Sequence, residues 1–290
     1  MTAVLTLQDV TLRFGGLLAV DGVTMDVQAG EIRALIGPNG AGKSTIFNLV
    51  TGVYRANQGH ILFEGGPIGG TPPHRLAALG IARTFQNIRL FSGLSLLENV
   101  LIGAHSQSRE GIAGALLRLP AFTASESLLR QHALEALAFM GLEAKAAEKA
   151  KNLPYGEQRR LEIARALAGK PRLLLLDEPA AGMNPQEKSA LMQSIRRIRD
   201  AGVTVFLIEH DMRVVMGISD RVAVLNYGRK IADGIPAQVR ENKDVIEAYL
   251  GSGASRVRQR DRVVTVGAAL DAPVSAANAA MEGRPGHAGD

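Results

Sequence analysis

The stretch Gly37-Pro38-Asn39-Gly40-Ala41-Gly42-Lys43-Ser44-Thr45 constrains this chain more than any other part of it. Its spacing, G-x-x-x-x-G-K-[ST], is that of a loop whose backbone N–H groups cradle phosphate oxygens. Such a loop needs a strand before it and a helix after it. Ile32-Arg33-Ala34-Leu35-Ile36 is a short, largely apolar run of strand type, and Ile46-Phe47-Asn48-Leu49-Val50 can begin a helix. The glycines let the backbone bend and approach closely, while the helix N-terminus adds its positive dipole end. In that setting Lys43 reaches the β- and γ-phosphates, and the Ser44 hydroxyl binds Mg²⁺. The pattern predicts a nucleotide site.

The surrounding chain predicts an α/β fold. Residues 4–36 alternate apolar and polar positions, with turn signals at Gly15-Gly16 and Ala29-Gly30, and read as a β-rich opening. His60–Phe63 reads as a further strand. From about 92 to 155 Ala, Leu and Glu dominate, and Leu128, Leu134, Leu137 and Met140 fall at roughly helical spacing before Gly141. This block reads as a helical subdomain inserted into an α/β core. Leu173–Leu176 and Val203–Ile208 are unbroken apolar runs, as expected of strands buried on both faces of a parallel sheet. The helical composition of Glu187–Arg199 between them makes a strand–helix–strand unit. Residues 219–234 read as a closing strand pair turning at Asn226-Tyr227-Gly228, and Val245–Leu250 as a short final helix.

Beyond Gly251 the chain is low in complexity, and residues 251–290 are expected to be disordered for want of apolar side chains to offset ordering entropy. The arginines at 256, 258, 260 and 262 could touch anionic lipid or a partner, though a solvated tail is the simpler reading. Net charge is +5, a small and spread excess rather than the clustered footprint of a nucleic-acid binder. The absence of cysteine excludes disulfides, thiol catalysis and cysteine-held metals. The first residues, Met1–Asp9, have neither the basic start nor the apolar stretch of a signal peptide, and no window approaches a membrane span. If the protein serves a membrane process, another chain supplies the membrane part.

A phosphate loop alone does not separate kinases, GTPases and transport ATPases. Leu173-Leu174-Leu175-Leu176-Asp177-Glu178-Pro179 is an apolar strand ending in two carboxylates. Asp177 can stand in the Mg²⁺ shell, and Glu178, one residue further out, can orient or deprotonate a water at the γ-phosphate. Upstream, Leu153-Pro154-Tyr155-Gly156-Glu157-Gln158 runs into a helix start, and His210 follows the apolar run 203–208.

With these motifs in order, residues 4–250 resemble the nucleotide-binding subunit of an ABC transporter. The resemblance implies a P-loop NTPase core of the ABC ATPase type, spanning 1–250. It makes 153–158 the signature motif, so that Tyr155, Gly156 and Glu157 meet nucleotide. Asp177 and Glu178 become the Walker B aspartate and the catalytic glutamate, and His210 the switch histidine. Gln86, in Ala82-Arg83-Thr84-Phe85-Gln86, becomes the Q-loop glutamine, acting in catalysis and at the metal. Phe14 takes the place of an aromatic that stacks on adenine. It further implies two cassettes stacked head to tail around two ATPs, the dimer being homo- or heteromeric, with Gln86 and the stretch to Asn99 carrying motion to integral membrane permease subunits.

Two positions depart from the family pattern. Pro154 stands where a serine is common; a proline in the first turn of a helix leaves the fold intact but brings no hydroxyl to the γ-phosphate. Asn184 stands where an aspartate is common and can still accept and donate hydrogen bonds. Tyr155-Gly156, Ala180–Pro185 and Glu209–Met212 are similar to the branch serving bacterial importers of branched-chain and other hydrophobic amino acids. That branch implies a periplasmic solute-binding protein and a place on the cytoplasmic face of the inner membrane. Related branches handle urea, short amides or lipopolysaccharide, and a soluble ABC ATPase of cluster assembly is a different class that stays open.

Overall fold

The computed structural model describes residues 2–104 and 120–249. The expectations for the tail and its arginines lie outside the described residues. The chain divides into two compact units, residues 1–246 and 247–290; all that follows concerns the first.

Among the described residues the strands form two sheets. The first is antiparallel: β1 (Ala3–Phe14) and β2 (Leu17–Gln28) pair across the Gly15-Gly16 turn, and β4 (Gln58–Phe63) and β5 (Gly66–Pro67) follow in the order β2-β1-β4-β5. The second is built on β3 (Ile32–Ile36), β6 (Ile81–Arg83), β7 (Leu173–Asp177), β8 (Thr204–Ile208), β9 (Arg221–Asn226) and β10 (Arg229–Gly234). Its order is β10-β9-β3-β8-β7-β6, parallel throughout except for the β9–β10 hairpin at one edge. That hairpin turns on Tyr227 and Gly228, both at positive φ (46° and 80°), the arrangement that matches strand twist in a two-residue turn.

The leucine run of β7 is unbroken because each face of this sheet has its own core. Leu173 and Leu175 pack with Phe47, Val10 and Val23 beneath the antiparallel sheet, while Leu174 and Leu176 pack with Leu137, Leu161 and Leu191 on the helical side. In β8 Phe206 and Ile208 take the first face, and Val205 and Leu207 the second. Each such fully buried leucine contributes about 1.5–3 kcal/mol. Periodicity two survives, but both phases are apolar.

Among the described residues the helices include α1 (Lys43–Val50), α2 (Pro73–Ala78), α3 (Leu96–Ala104), α4 (Pro120–Phe139), α5 (Tyr155–Ala168), α6 (Pro185–Asp200), α7 (Met212–Ile218) and α8 (Pro236–Glu241). Residues 243–246 are helical as well, a helix that starts two residues before the expected Val245. Helices α3, α4 and α5 pack on one another. The stripe that α4 buries differs from the one expected: Ala133, Ala136, Leu137 and Met140 are buried, whereas Leu128 is 52% exposed and Leu134 only half-buried. Ala133 and Ala136, at i and i+3, let the helices approach closely, so Leu128 on the flank is left outside. Among the described residues no helix is long and apolar enough to cross a membrane.

Candidate active site

The sequence brings β3 to the phosphate loop and the loop to α1, and two of its glycines are required by what lies against them. A Cβ on Gly37 would stand 2.1 Å from the Leu225 carbonyl oxygen, and one on Gly42 would stand 2.6 Å from that of Ala19. Both residues also have positive φ, 149° and 102°. The β9–β10 turn fastens the loop from outside, its Gly228 N–H donating to the Ala41 carbonyl at 3.0 Å. Lys43, buried, donates from Nζ to the carbonyls of Gly37 (2.7 Å) and Pro38 (2.9 Å). Burial pulls its pKa below the ordinary lysine value, and the nearby carboxylates of Glu178 and Asp177 oppose that shift. Pro38, Asn39 and Thr45 complete the loop, and Ser44 is exposed at its end. A cavity of about 330 Å³ opens here, lined by Gly40–Thr45 together with Ala19, Phe14 and Tyr227. Phe14 stands edge-on to Tyr54, ring centroids 5.0 Å apart.

The carboxylates sit at the same end of the parallel sheet. Asp177, the last residue of β7, accepts from Arg83 Nη2 at 2.8 Å, and the same arginine reaches Asn48 Oδ1 (2.6 Å) and Thr51 Oγ1 (3.1 Å) on α1. Glu178 has φ 47° and donates its N–H to the Ile208 carbonyl at 2.9 Å. That left-handed conformation costs about 1–2 kcal/mol in a non-glycine residue and turns the side chain out of the strand direction. Its Oε2 accepts from Gln86 Nε2 at 3.0 Å and lies 3.6 Å from His210 Nδ1. Behind them Glu209, fully buried, accepts the N–H groups of Ala180 (2.9 Å), His210 (3.0 Å) and Asp211 (3.3 Å). Burial raises the Glu209 pKa, and those three backbone bonds moderate the rise while fixing the turn that presents His210. Gln86, Glu178 and His210, distant in sequence, thus meet beyond the ends of β6, β7 and β8.

Tyr155, Gly156 and Glu157 do not join that cluster. They open α5, where Gly156 and Glu157 line a second concave surface with Pro154, Met183 and Glu187. A Cβ on Gly156 would meet Glu187 Oε1 at 2.7 Å. Glu187 and Asn184 cap α6 reciprocally, each side chain accepting the other's N–H at 2.9 Å, so Asn184 here fills the N-cap role. The Glu157 carboxylate is engaged by Lys145 at 2.6 Å. Pro154 is the N-cap of α5 rather than part of its first turn: at φ −58°, ψ 156° it lends its carbonyl to the N–H groups of Glu157 and Gln158, and it has no side-chain cap.

The family model described as "ABC transporter" matches residues 20–181 of this chain. The chain belongs to that family. A second model of the family, "Branched-chain amino acid ATP-binding cassette transporter", matches residues 229–255. The ABC chain is 47% identical over 249 residues to the high-affinity branched-chain amino acid transport ATP-binding protein BraF of Pseudomonas aeruginosa, covering 86% of this chain and 98% of BraF. Among solved structures it is similar to the ADP conformation of MJ1267, an ATP-binding cassette of an ABC transporter (TM-score 0.76, 30% identity, 87% of this chain and all of that one). It is also similar to the dimeric post-hydrolysis state of MJ0796 bound to ADP and Pi (TM-score 0.66, 26% identity, 80% and 98%). The protein is an ABC ATPase.

Three residues of this cassette's site escaped the sequence reading. Tyr227, 85% exposed on the rim of the phosphate-loop cavity, reads in sequence as a turn residue. Arg83 stands in the motif around Gln86 with no role of its own in the sequence, yet it ties β7 to α1. Arg159 lies in a stretch of charged residues that looks solvated, but it is fully buried. No periodic signal in the sequence marks it.

Proposed function

We propose that this chain is the ATP-binding and hydrolysing subunit of an importer of branched-chain amino acids, with residues 1–250 as the cassette and about 92–155 as its helical subdomain. Its chemistry rests on one observation above the others: Glu178 Oε2 is faced by both Gln86 and His210 beside a phosphate loop. Glu178 is the base that takes a proton from the attacking water, Gln86 and His210 hold that carboxylate and the γ-phosphate end, and Lys43 neutralises phosphate charge. Mg²⁺ would be held by Ser44, Asp177 and Gln86. These hard oxygen donors fit it, since Mg²⁺ keeps waters and substrate phosphates and needs only one or two carboxylates. When bound it neutralises charge on the β- and γ-phosphates.

Gly156 and Glu157 on one side and the phosphate loop on the other line separate cavities of one chain, which fits a site completed by a second cassette, the same or a related chain. Integral membrane permease subunits seat this subunit on the cytoplasmic face of the inner membrane, and a periplasmic solute-binding protein delivers the solute. The match of residues 229–255 supports the branched-chain solute class. The test is reconstitution with the permease subunits in vesicles: ATP-dependent uptake of leucine, isoleucine and valine is expected. Uptake of urea or short amides instead, or no association with permeases, overturns the solute or the transporter reading respectively.

Two substitutions probe the nucleotide contacts. Phe14→Ala should weaken ATP binding about 2–10-fold, the worth of one aromatic contact, and leave inorganic tripolyphosphate binding unchanged; titration calorimetry reads both. Equal losses for both ligands would remove Phe14 from the base. Pro154→Ser restores a hydroxyl at the N-cap of α5. A hydrogen bond to a charged group is worth about 1.5–3 kcal/mol, so ATP-dependent dimerisation should tighten tenfold or more. Unchanged association in sedimentation would show that the proline costs nothing.

A further inference from the structure

The segment that carries Gln86 belongs mechanically to α5. Thr84 is still tied to the core sheet, its N–H donating to the Leu175 carbonyl at 2.9 Å. From Phe85 onward the attachments change sides. Arg159 Nη1 donates to the Phe85 carbonyl (2.7 Å) and Nη2 to the Gln86 carbonyl (2.8 Å). Glu162 Oε1 lies 3.4 Å from the Arg89 N–H and 3.5 Å from that of Phe85. Arg165 donates to the Arg89 carbonyl. Further on, the Asn99 side chain of α3 holds both the N–H and the carbonyl of Phe91, at 2.9 and 3.0 Å. Across to the core, the Gln86 amide reaches Glu178.

Arg159 and Glu162 are 0% and 1% exposed and pair at 2.7 Å. Two buried charges cost several kcal/mol before their mutual attraction and hydrogen bonds offset it, and an apolar pair of similar volume is often as stable. Stability alone therefore does not account for the pair. Its hydrogen bonds do something an apolar pair cannot: they fasten loop carbonyls to a helix whose first residues are Tyr155 and Gly156. Arg159 also lies 3.3 Å from the Tyr155 hydroxyl, so the fastening runs to the very end of that helix. Phe85, Arg89, Glu162 and Arg165 line one wall of a cavity of about 510 Å³ between the sheet and the helices.

We propose that Arg159 and Glu162 are positioning residues for Gln86. They fasten residues 85–89 to α5 from Phe85 onward, which sets where the Gln86 amide stands against the Glu178 carboxylate. The inference rests on the ATPase reading of the site and adds two buried residues that fix the position of the Gln86 amide.

The test is the double variant Arg159→Met/Glu162→Met in the full chain, which removes both charges together and so leaves neither unpaired. Its melting temperature should stay near that of the wild type. Its kcat should fall about tenfold or more, since misplacing a positioned group by an ångström can cost that much, with KM for ATP within about twofold. Amide exchange at Phe85 and Arg89 should accelerate while α5 stays protected. In a Gln86→Ala background the double variant should lower kcat no further, because the effect passes through Gln86. A folded double variant with wild-type kcat, or one that adds its full effect to Gln86→Ala, overturns the proposal. Should the double variant not fold, Glu162→Gln replaces it, with smaller effects of the same kind expected and unchanged kcat and exchange decisive against. Wild-type protein that fails to hydrolyse ATP would instead remove the ATPase reading beneath it.

Discussion

Glu178→Gln is expected to lower the ATPase rate by about 10²–10⁴-fold, the usual worth of a general base, while ATP binding survives. The expectation follows from where the carboxylate stands. Its Oε2 is the atom that both Gln86 and His210 face, and its backbone is held by the Ile208 carbonyl in a left-handed conformation that aims the side chain away from the strand. Glutamine keeps the length and volume of the side chain but cannot take a proton. The phosphate loop, with Lys43 and the approaches at Gly37 and Gly42, lies on other residues and is untouched, so affinity for ATP should hold. With hydrolysis blocked, the ATP-bound form accumulates, and light scattering should show a dimer that the wild type forms only transiently. A slow variant that stays monomeric would mean that a different cassette completes the site, and the permease complex becomes the object to measure. A variant that hydrolyses at the wild-type rate would falsify the assignment of Glu178 as the base.

What could be read in the sequence, and what could not, divides along physical lines. The phosphate loop was legible because the approach of Leu225 to Gly37 and of Ala19 to Gly42 leaves no room for a side chain, and that demand is written as glycines at fixed spacing. The strands at 173–177 and 204–208 were legible because burial on both faces makes every position apolar. β6 was not, since three residues carry no period. The buried stripe of α4 was misplaced because its close packing is done by Ala133 and Ala136, which give a weaker signal than the exposed Leu128. Gln86, Glu178 and His210 could each be named from motifs, but their meeting is a matter of strand order. Only the neighbourhood β8-β7-β6 brings His210, Glu178 and Gln86 together beyond the carboxyl ends of parallel strands, where open α/β sheets place their ligands. The attachment of the Gln86 segment to α5 depends on buried charges whose sequence context looks like a solvated helix face.

Asp233→Ala is expected to destabilise the protein by about 3–5 kcal/mol, the cost of leaving a buried charge without its partner. Arg33 lies in β3, the strand that delivers the phosphate loop, and its side chain is wholly buried. Its Nη2 donates to Asp233 Oδ1 at 2.7 Å, while its Nε and Nη1 have no partner among the described residues. Asp233 also accepts from Arg221 and Lys230, both at 3.0 Å, so one carboxylate on β10 serves three cations. Burial disfavours its ionised form, but the Arg33 bond and charge, with Lys230, outweigh burial and hold the carboxyl below the ordinary aspartate value. A depressed carboxyl pKa adds stability that is complete at neutral pH and fades as pH falls from about 3.9 through the folded value. The gap between wild type and Asp233→Ala should therefore be widest near neutrality and close in that acid window. Total stability of a domain is about 5–15 kcal/mol, so the loss should appear as a large drop in urea midpoint. Arg33→Met/Asp233→Leu removes the charge with its partner and should return most of the stability, since an apolar pair of similar volume tolerates the site. A change below about 0.5 kcal/mol for Asp233→Ala would mean that Glu31, whose charge also acts on Arg33, is counter-ion enough. In that case β3 does not depend on the β10 edge to hold the phosphate loop in place.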